Sequence, residues 1–94
     1  MIIDYKGHRI LLEDGRVIYL TLMETRLLEL IYENKGNVVS YKEIAKEIYE
    51  TEIDVCLKNT ITINISRLKK KIGKYIEIKT IRQAGYIVEK SYKR

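Results

Sequence analysis

Ninety-four residues, 46% hydrophobic and 33% charged, suffice for one small domain with a single core. The net charge is +5 but unevenly placed: Lys58 to Arg82 holds eight Lys or Arg residues against one acid, Glu77, a local +7 that leaves the remainder at −2. No apolar run approaches the roughly 18 residues of a membrane span, no signal-peptide core is present, and the single Cys56 forms no internal disulfide, which points to a cytoplasmic protein.

The first twenty residues read as antiparallel β. Ile2 and Ile3 lead into the turn Lys6-Gly7-His8, Arg9 to Leu12 follow, and Glu13-Asp14-Gly15 turns into Val17 to Leu20. Lys-Gly and Asp-Gly supply residues that tolerate φ > 0, as tight hairpins require. Thr21 with Glu24 is a T-x-x-E capping box opening a helix whose apolar face is Leu27, Leu28, Leu30 and Ile31. Asn34-Lys35-Gly36 stops it, with Gly36 as the left-handed cap. Val38-Val39 is a short extended link. Ser40 with Glu43 is a second capping box, opening a helix through Tyr49 with Ile44, Ala45 and Ile48 inward. Two capped helices on so short a link suit a helix-turn-helix. The acidic residues Glu50, Glu52 and Asp54 break the pattern, so 50–56 is a loop.

The next element reads two ways. Thr60 to Ile65 alternates strictly and is β-branched, which favours a strand. Ile61, Ile65, Leu68 and Ile72 recur as a single helical stripe running past the alternation, and Gly73 ends it. The longer period is preferred, giving a helix from about 57 to 72. At about 100° per residue, Asn59, Ile63, Ser66, Arg67 and Lys70 lie opposite the stripe, with Thr62 at its edge. Such a face of donors, one arginine and one isoleucine suits base reading. Ile76 to Ile81 and Tyr86 to Glu89 then flank Arg82-Gln83-Ala84-Gly85 as a hairpin with Arg82 near its tip. The predicted fold is α+β, a winged helix-turn-helix. A single domain, 1–94, holds an N-terminal sheet (1–20), a three-helix core (21–73) and a wing hairpin (74–90).

Four ordered segments carry a family resemblance: Leu20-Thr21-x-x-Glu24-x-x-Leu27-Leu28, Asn34-x-Gly36-x-Val38-Val39-Ser40, Thr60-Ile61-x-Ile63-x-Ile65-x-Arg67-Leu68-Lys69-Lys70-Lys71-Ile72 and Ile78-Lys79-Thr80-Ile81-Arg82-x-x-Gly85-Tyr86. From about Leu20 to Val88 the chain resembles the OmpR/PhoB-type DNA-binding domain of two-component response regulators. The resemblance implies a third helix in the major groove and a wing in the adjacent minor groove. It implies base contact by Arg67, whose guanidinium can bond bidentately to guanine, and by Ile63 against a thymine methyl, beside Thr62, Ser66 and Asn59. Arg82 matches the wing arginine, suited to a narrow A·T-rich minor groove. Lys58, Lys69, Lys70, Lys71, Thr80 and the Tyr41 hydroxyl are the backbone-contact candidates. Lys69 and Lys71, nearer the buried stripe, have snorkelling as the alternative. Glu50, Glu52 and Asp54 correspond to a segment that contacts RNA polymerase in some members; a plain solvated loop is the other reading.

Departures from the family pattern are specific. Thr25 stands for a usual aromatic, Tyr49 for a common tryptophan, Asn59 for a frequent arginine, Thr62 for a frequent aspartate, and Gln83 for a wing glycine. The N-terminal sheet reads as three strands where the family often has four. No receiver domain is expected within these residues: a phosphoacceptor domain needs roughly 100 more residues before Met1, and Asp4, Asp14 and Asp54 are isolated turn or loop residues. The chain therefore reads as an effector half or as a small regulator standing alone.

An enzyme is not expected. His8 is the lone histidine, in a hairpin; one His and one Cys give no metal spacing, and no phosphate-cradling glycine loop occurs. No metal or cofactor is implied. The eight tyrosines, Tyr92 among them, scatter across elements as core and rim residues, with Tyr86 in the core. Duplex DNA is the expected partner, bound by an isolated monomer in tandem on direct repeats, with RNA polymerase as a further partner. The runner-up is a winged-helix protein-interaction module, for example with RNA polymerase, without sequence-specific DNA binding. RNA binding would call for stacking aromatics on a sheet, and none is apparent.

Overall fold

A computed structural model describes residues 1–89. Tyr92 and the last residue of the 74–90 wing segment lie outside the described residues. Strands β1 (Ile2–Asp4), β2 (Arg9–Leu11) and β3 (Val17–Tyr19) form an antiparallel sheet in chain order. Ile3, Ile10 and Ile18 stand in register across it and pack on the core. Gly15 takes a positive φ of 90°, as its turn requires. In the first turn it is His8, at φ 53°, and not Gly7 that turns left-handed. At Gly7 a Cβ would overlap the Asp4 carboxylate that accepts its amide, so that side chain would have to shift.

Helix α1 (Leu22–Glu33) starts at the foreseen box: the Thr21 hydroxyl accepts the Glu24 amide at 3.1 Å, and the Glu24 carboxylate accepts the Thr21 amide at 2.8 Å. Leu27, Leu28 and Ile31 are fully buried. Thr25 is buried too, and its hydroxyl donates to the Thr21 carbonyl at 2.9 Å while lying 3.0 Å from His8 Nδ1. The helix ends at Asn34. Gly36 does have positive φ (92°), but its amide donates to the Val88 carbonyl at 2.7 Å rather than capping α1.

That bond leads into the second sheet. The expected link around Val38-Val39 is strand β4 (Val39–Ser40), which pairs with β6 (Gly85–Ile87), itself paired to β5 (Lys79–Ile81), in the order β4-β6-β5. Helix α2 begins at its capping box (Tyr41–Ile44) and continues not as a plain α-helix but as a π-helical segment, Ala45–Tyr49, with Ile44, Ala45 and Ile48 buried as expected. Its wider turn closes with the Glu50 amide on the Ala45 carbonyl and Glu50 at φ 55°.

Helix α3 (Val55–Ile72) starts two residues before the expected boundary, because Asp54 is its N-cap and accepts the Leu57 amide at 2.7 Å. The loop is thus shorter than 50–56. Ile61, Ile65, Leu68 and Ile72 are all buried. Burying each such side chain is worth about 1.5–3 kcal/mol, against a few tenths per residue for helix propensity; the stripe therefore overrides the β-branched alternation. Gly73 caps α3 in the right-handed region (φ −58°), not as a left-handed stop. The expected strand from Ile76 is also shorter: Ile76 and Ile78 are buried, but pairing begins at Lys79. Gln83 supplies the wing turn's left-handed residue at φ 64°. The architecture is the winged helix.

Candidate nucleic-acid interface

Because the isoleucine stripe of α3 faces the core, the opposite face is presented outward. Asn59, Thr62, Ser66, Arg67 and Lys70 are exposed there, and Ile63 is 52% exposed, a large apolar side chain left on a polar face. Thr62 donates its proton to the Lys58 carbonyl at 2.9 Å, and its hydroxyl neighbours that of Tyr86. The wing turn holds Arg82 exposed. Lys69 joins helix to wing, its ammonium donating to Thr80 Oγ1 at 3.0 Å.

The eight basic residues divide into two groups. Lys71 donates to the Glu24 carboxylate at 2.7 Å and to the Tyr19 carbonyl at 3.2 Å, so its charge serves to pin α3 to α1 and β3. Of the backbone-contact candidates, Lys71 is thus the one engaged by a carboxylate. Glu24 is 5% exposed. Burial opposes its ionisation, but the bonds from Lys71 and the Thr21 amide outweigh burial and hold its carboxyl below the ordinary value. Lys79 pairs with Glu89 at 2.9 Å, which raises the lysine above its usual range. Lys58, Arg67, Lys69, Lys70, Lys74 and Arg82 have no acidic partner among the described residues. The uncompensated charge therefore lies along the outward side of α3 and at the wing.

Tyr41, half-buried at the start of α2, has its hydroxyl 3.2 Å from that of Tyr86 and the Lys58 ammonium 4.9 Å from its ring centroid. Sequence reasoning had Tyr86 as core only; the hydroxyl pairing spans 45 positions and left no local signal. Of the acidic loop, Glu50 and Glu52 are exposed, while the Asp54 carboxylate is occupied by the N-cap bond. Cys56 is exposed. Among the described residues no group of three or more potential ligands is placed to hold a metal, and no helix is long and apolar enough to cross a membrane. An exposed helix face flanked by uncompensated cations, with an arginine-tipped hairpin beside it, is chemically equipped to neutralise phosphates and present donors to base edges.

Comparison with known proteins bears on the same elements. Residues 15–88 match the family described as "Transcriptional regulatory protein, C terminal". The regulatory protein VanR of Enterococcus faecium is 35% identical over 94 residues, 96% of this chain and 40% of VanR. The chain thus spans well under half the length of the curated relatives it matches. The DNA-binding domain of CpxR from E. coli superposes with a TM-score of 0.78 at 24% identity, covering 96% of this chain and 90% of that one. The Klebsiella pneumoniae RstA DNA-binding domain, solved in complex with the RstA box, gives a TM-score of 0.68 at 20% identity, covering 88% and 92%. At these identities the two structures speak to the fold.

Proposed function

The chain belongs to the family of transcriptional-regulator C-terminal domains, the non-enzymatic OmpR/PhoB-type winged-helix DNA-binding domains, and on that premise we propose that it binds duplex DNA in a sequence-specific manner. Helix α3 enters the major groove and the wing the adjacent minor groove. The single observation that carries this reading is the uncompensated charge on the outward face of α3 and at Arg82, beside an exposed Ile63. Arg67 reads guanine, Ile63 meets a thymine methyl, and Asn59, Thr62 and Ser66 supply further base contacts. Arg82 reads minor-groove width. Lys58, Lys69, Lys70, Thr80 and Tyr41 hold phosphates. RNA polymerase is a second partner of this reading, through the exposed Glu50 and Glu52. The isolated domain is a monomer that occupies direct half-sites about 10–11 bp apart.

The test is affinity on duplex against single strands with competitor, followed by Arg67→Ala and Arg82→Ala on a panel of core and flank variants. Arg67→Ala is expected to relax specificity at one or two base pairs, at about 1–3 kcal/mol. Arg82→Ala is expected to weaken A·T-flanked sites most and G·C-flanked sites least. Uniform losses across the panel would make both arginines phosphate anchors, and equal affinity for single strands would remove the duplex reading. A tight dimer in sedimentation without DNA would remove the monomer claim.

A further inference from the structure

Two tyrosine hydroxyls meet where α2, α3 and the wing converge. Strand pairing sets Tyr86 opposite Val39, two residues before Tyr41, so the two rings are held by adjacent strands and the start of a helix. They pack edge to face, with centroids 5.4 Å apart and planes at 71°. Gly85 lets the strands approach this closely: a Cβ there would overlap the Val39 carbonyl and lie 2.8 Å from the Ser40 Cα. Lys58 covers the outer ring, and Lys69 stands 6.0 Å from the inner one while bound to Thr80.

The proton count of this pair is informative. Two phenols bring two O–H protons and use one between their oxygens, which lie 3.2 Å apart. Hydroxyl hydrogens rotate, so either can donate. Tyr86 is 2% exposed, and an unplaced buried proton is costly, whereas Tyr41 is half-buried with access to solvent. The Thr62 hydroxyl, its own proton given to the Lys58 carbonyl, also neighbours that of Tyr86. In the arrangement where Tyr86 donates to Tyr41, the one hydroxyl it is bonded to, the buried proton is used and the Tyr41 proton is free to turn outward. A hydroxyl whose oxygen already accepts a bond is a stronger donor. Burial and the bond to Tyr41, opposed by the Thr62 hydroxyl, push the Tyr86 phenol up to about 12.

We propose that Tyr86 is a positioning residue: its hydroxyl aims and polarises the Tyr41 hydroxyl, beside the Lys58 ammonium, toward one phosphate on the backbone between the two grooves. This rests on the duplex-binding reading and adds to it a residue that touches no DNA itself. A purely structural hydroxyl tie would stabilise the fold without governing a phosphate contact.

The probe is a duplex of about 30 bp, enough for two half-sites, selected by the wild-type domain from a random pool. The same duplex is also made with single uncharged methylphosphonate linkages, one at a time. Tyr41→Phe is expected to weaken binding about tenfold and Tyr86→Phe about threefold. Because Tyr86 acts through Tyr41, the double variant is expected to bind no worse than Tyr41→Phe alone. One linkage is expected whose neutralisation weakens the wild type more than it weakens Tyr41→Phe, where the Lys58 ammonium alone still meets that phosphate. Wild-type affinity in Tyr86→Phe, multiplicative losses in the double variant, or no discriminating linkage would each overturn the proposal while duplex binding stands. A wild-type domain that selects no duplex would overturn the underlying reading and this one with it.

Discussion

The two three-stranded sheets are built from strands of two or three residues by opposite means. β1, β2 and β3 follow one another through tight turns, and their cations are matched locally, Arg9 to Asp4 at 3.0 Å and Arg16 to Asp14 at 2.6 Å. The wing sheet takes β4 from between two helices, some 45 residues from its partner β6, and Arg82 and its helix neighbours on α3 have no acidic partner among the described residues. The first sheet closes its own geometry and pairs both its arginines; the wing sheet pairs Lys79 with Glu89 but leaves Arg82 at its tip open to an anion, and it depends on distant chain for its shape. Local closure suits a scaffold, and open charge suits a binding surface.

The largest test of that contrast is one methyl group in each sheet. Gly85→Ala drives a Cβ into the β4 backbone and is expected to cost about 2–4 kcal/mol. Gly15→Ala meets nothing within 4 Å and carries only the penalty of its positive φ, about 1 kcal/mol. Urea unfolding of both variants decides it; equal losses would mean the wing sheet does not depend on the β4 approach.

Adjacent lysines on α3 sharpen the division further. Lys71→Met strands the buried Glu24 carboxylate and is expected to destabilise by about 1–2 kcal/mol near pH 7, a figure kept low because the Lys71 side chain is 39% exposed. The depressed Glu24 carboxyl contributes stability that is present above its unfolded value and lost as pH falls through the folded one. The gap between wild type and variant is therefore expected to narrow as pH drops below the ordinary carboxylate range. A gap constant from pH 7 to pH 3 would show that Glu24 is not the group responsible.

The smallest effect is read in salt. If about six phosphates are neutralised, log K is expected to fall against log salt with a slope near −5, about 0.9 per phosphate. Lys70→Gln is expected to make the slope shallower by about 0.9, and Lys71→Gln to leave it unchanged. A slope near zero would sink the electrostatic account. Equal slope changes for the two lysines would sink the division between them.

What was legible in the sequence follows from the range of each interaction. Both capping boxes, Thr21 with Glu24 and Ser40 with Glu43, join residues three apart. The Ile61/Ile65/Leu68/Ile72 stripe has the helical period, and its burial decides which face of α3 looks outward. So the order of elements, the helix choice for 57–72 and the outward positions of Arg67 and Arg82 could all be read locally. The Asp54 cap lies at the same short range and was readable, but its acidic neighbours disguised it as loop. Only the tertiary structure decided the rest. Lys71 meets Glu24 across 47 positions and Tyr41 meets Tyr86 across 45, separations at which no periodicity or spacing carries information. The recruitment of Val39–Ser40 as a strand, the π-helical turn of α2 and the left-handed Gln83 likewise emerge only in the packed chain. Contacts between distant segments repay backbone choices that local propensity does not favour.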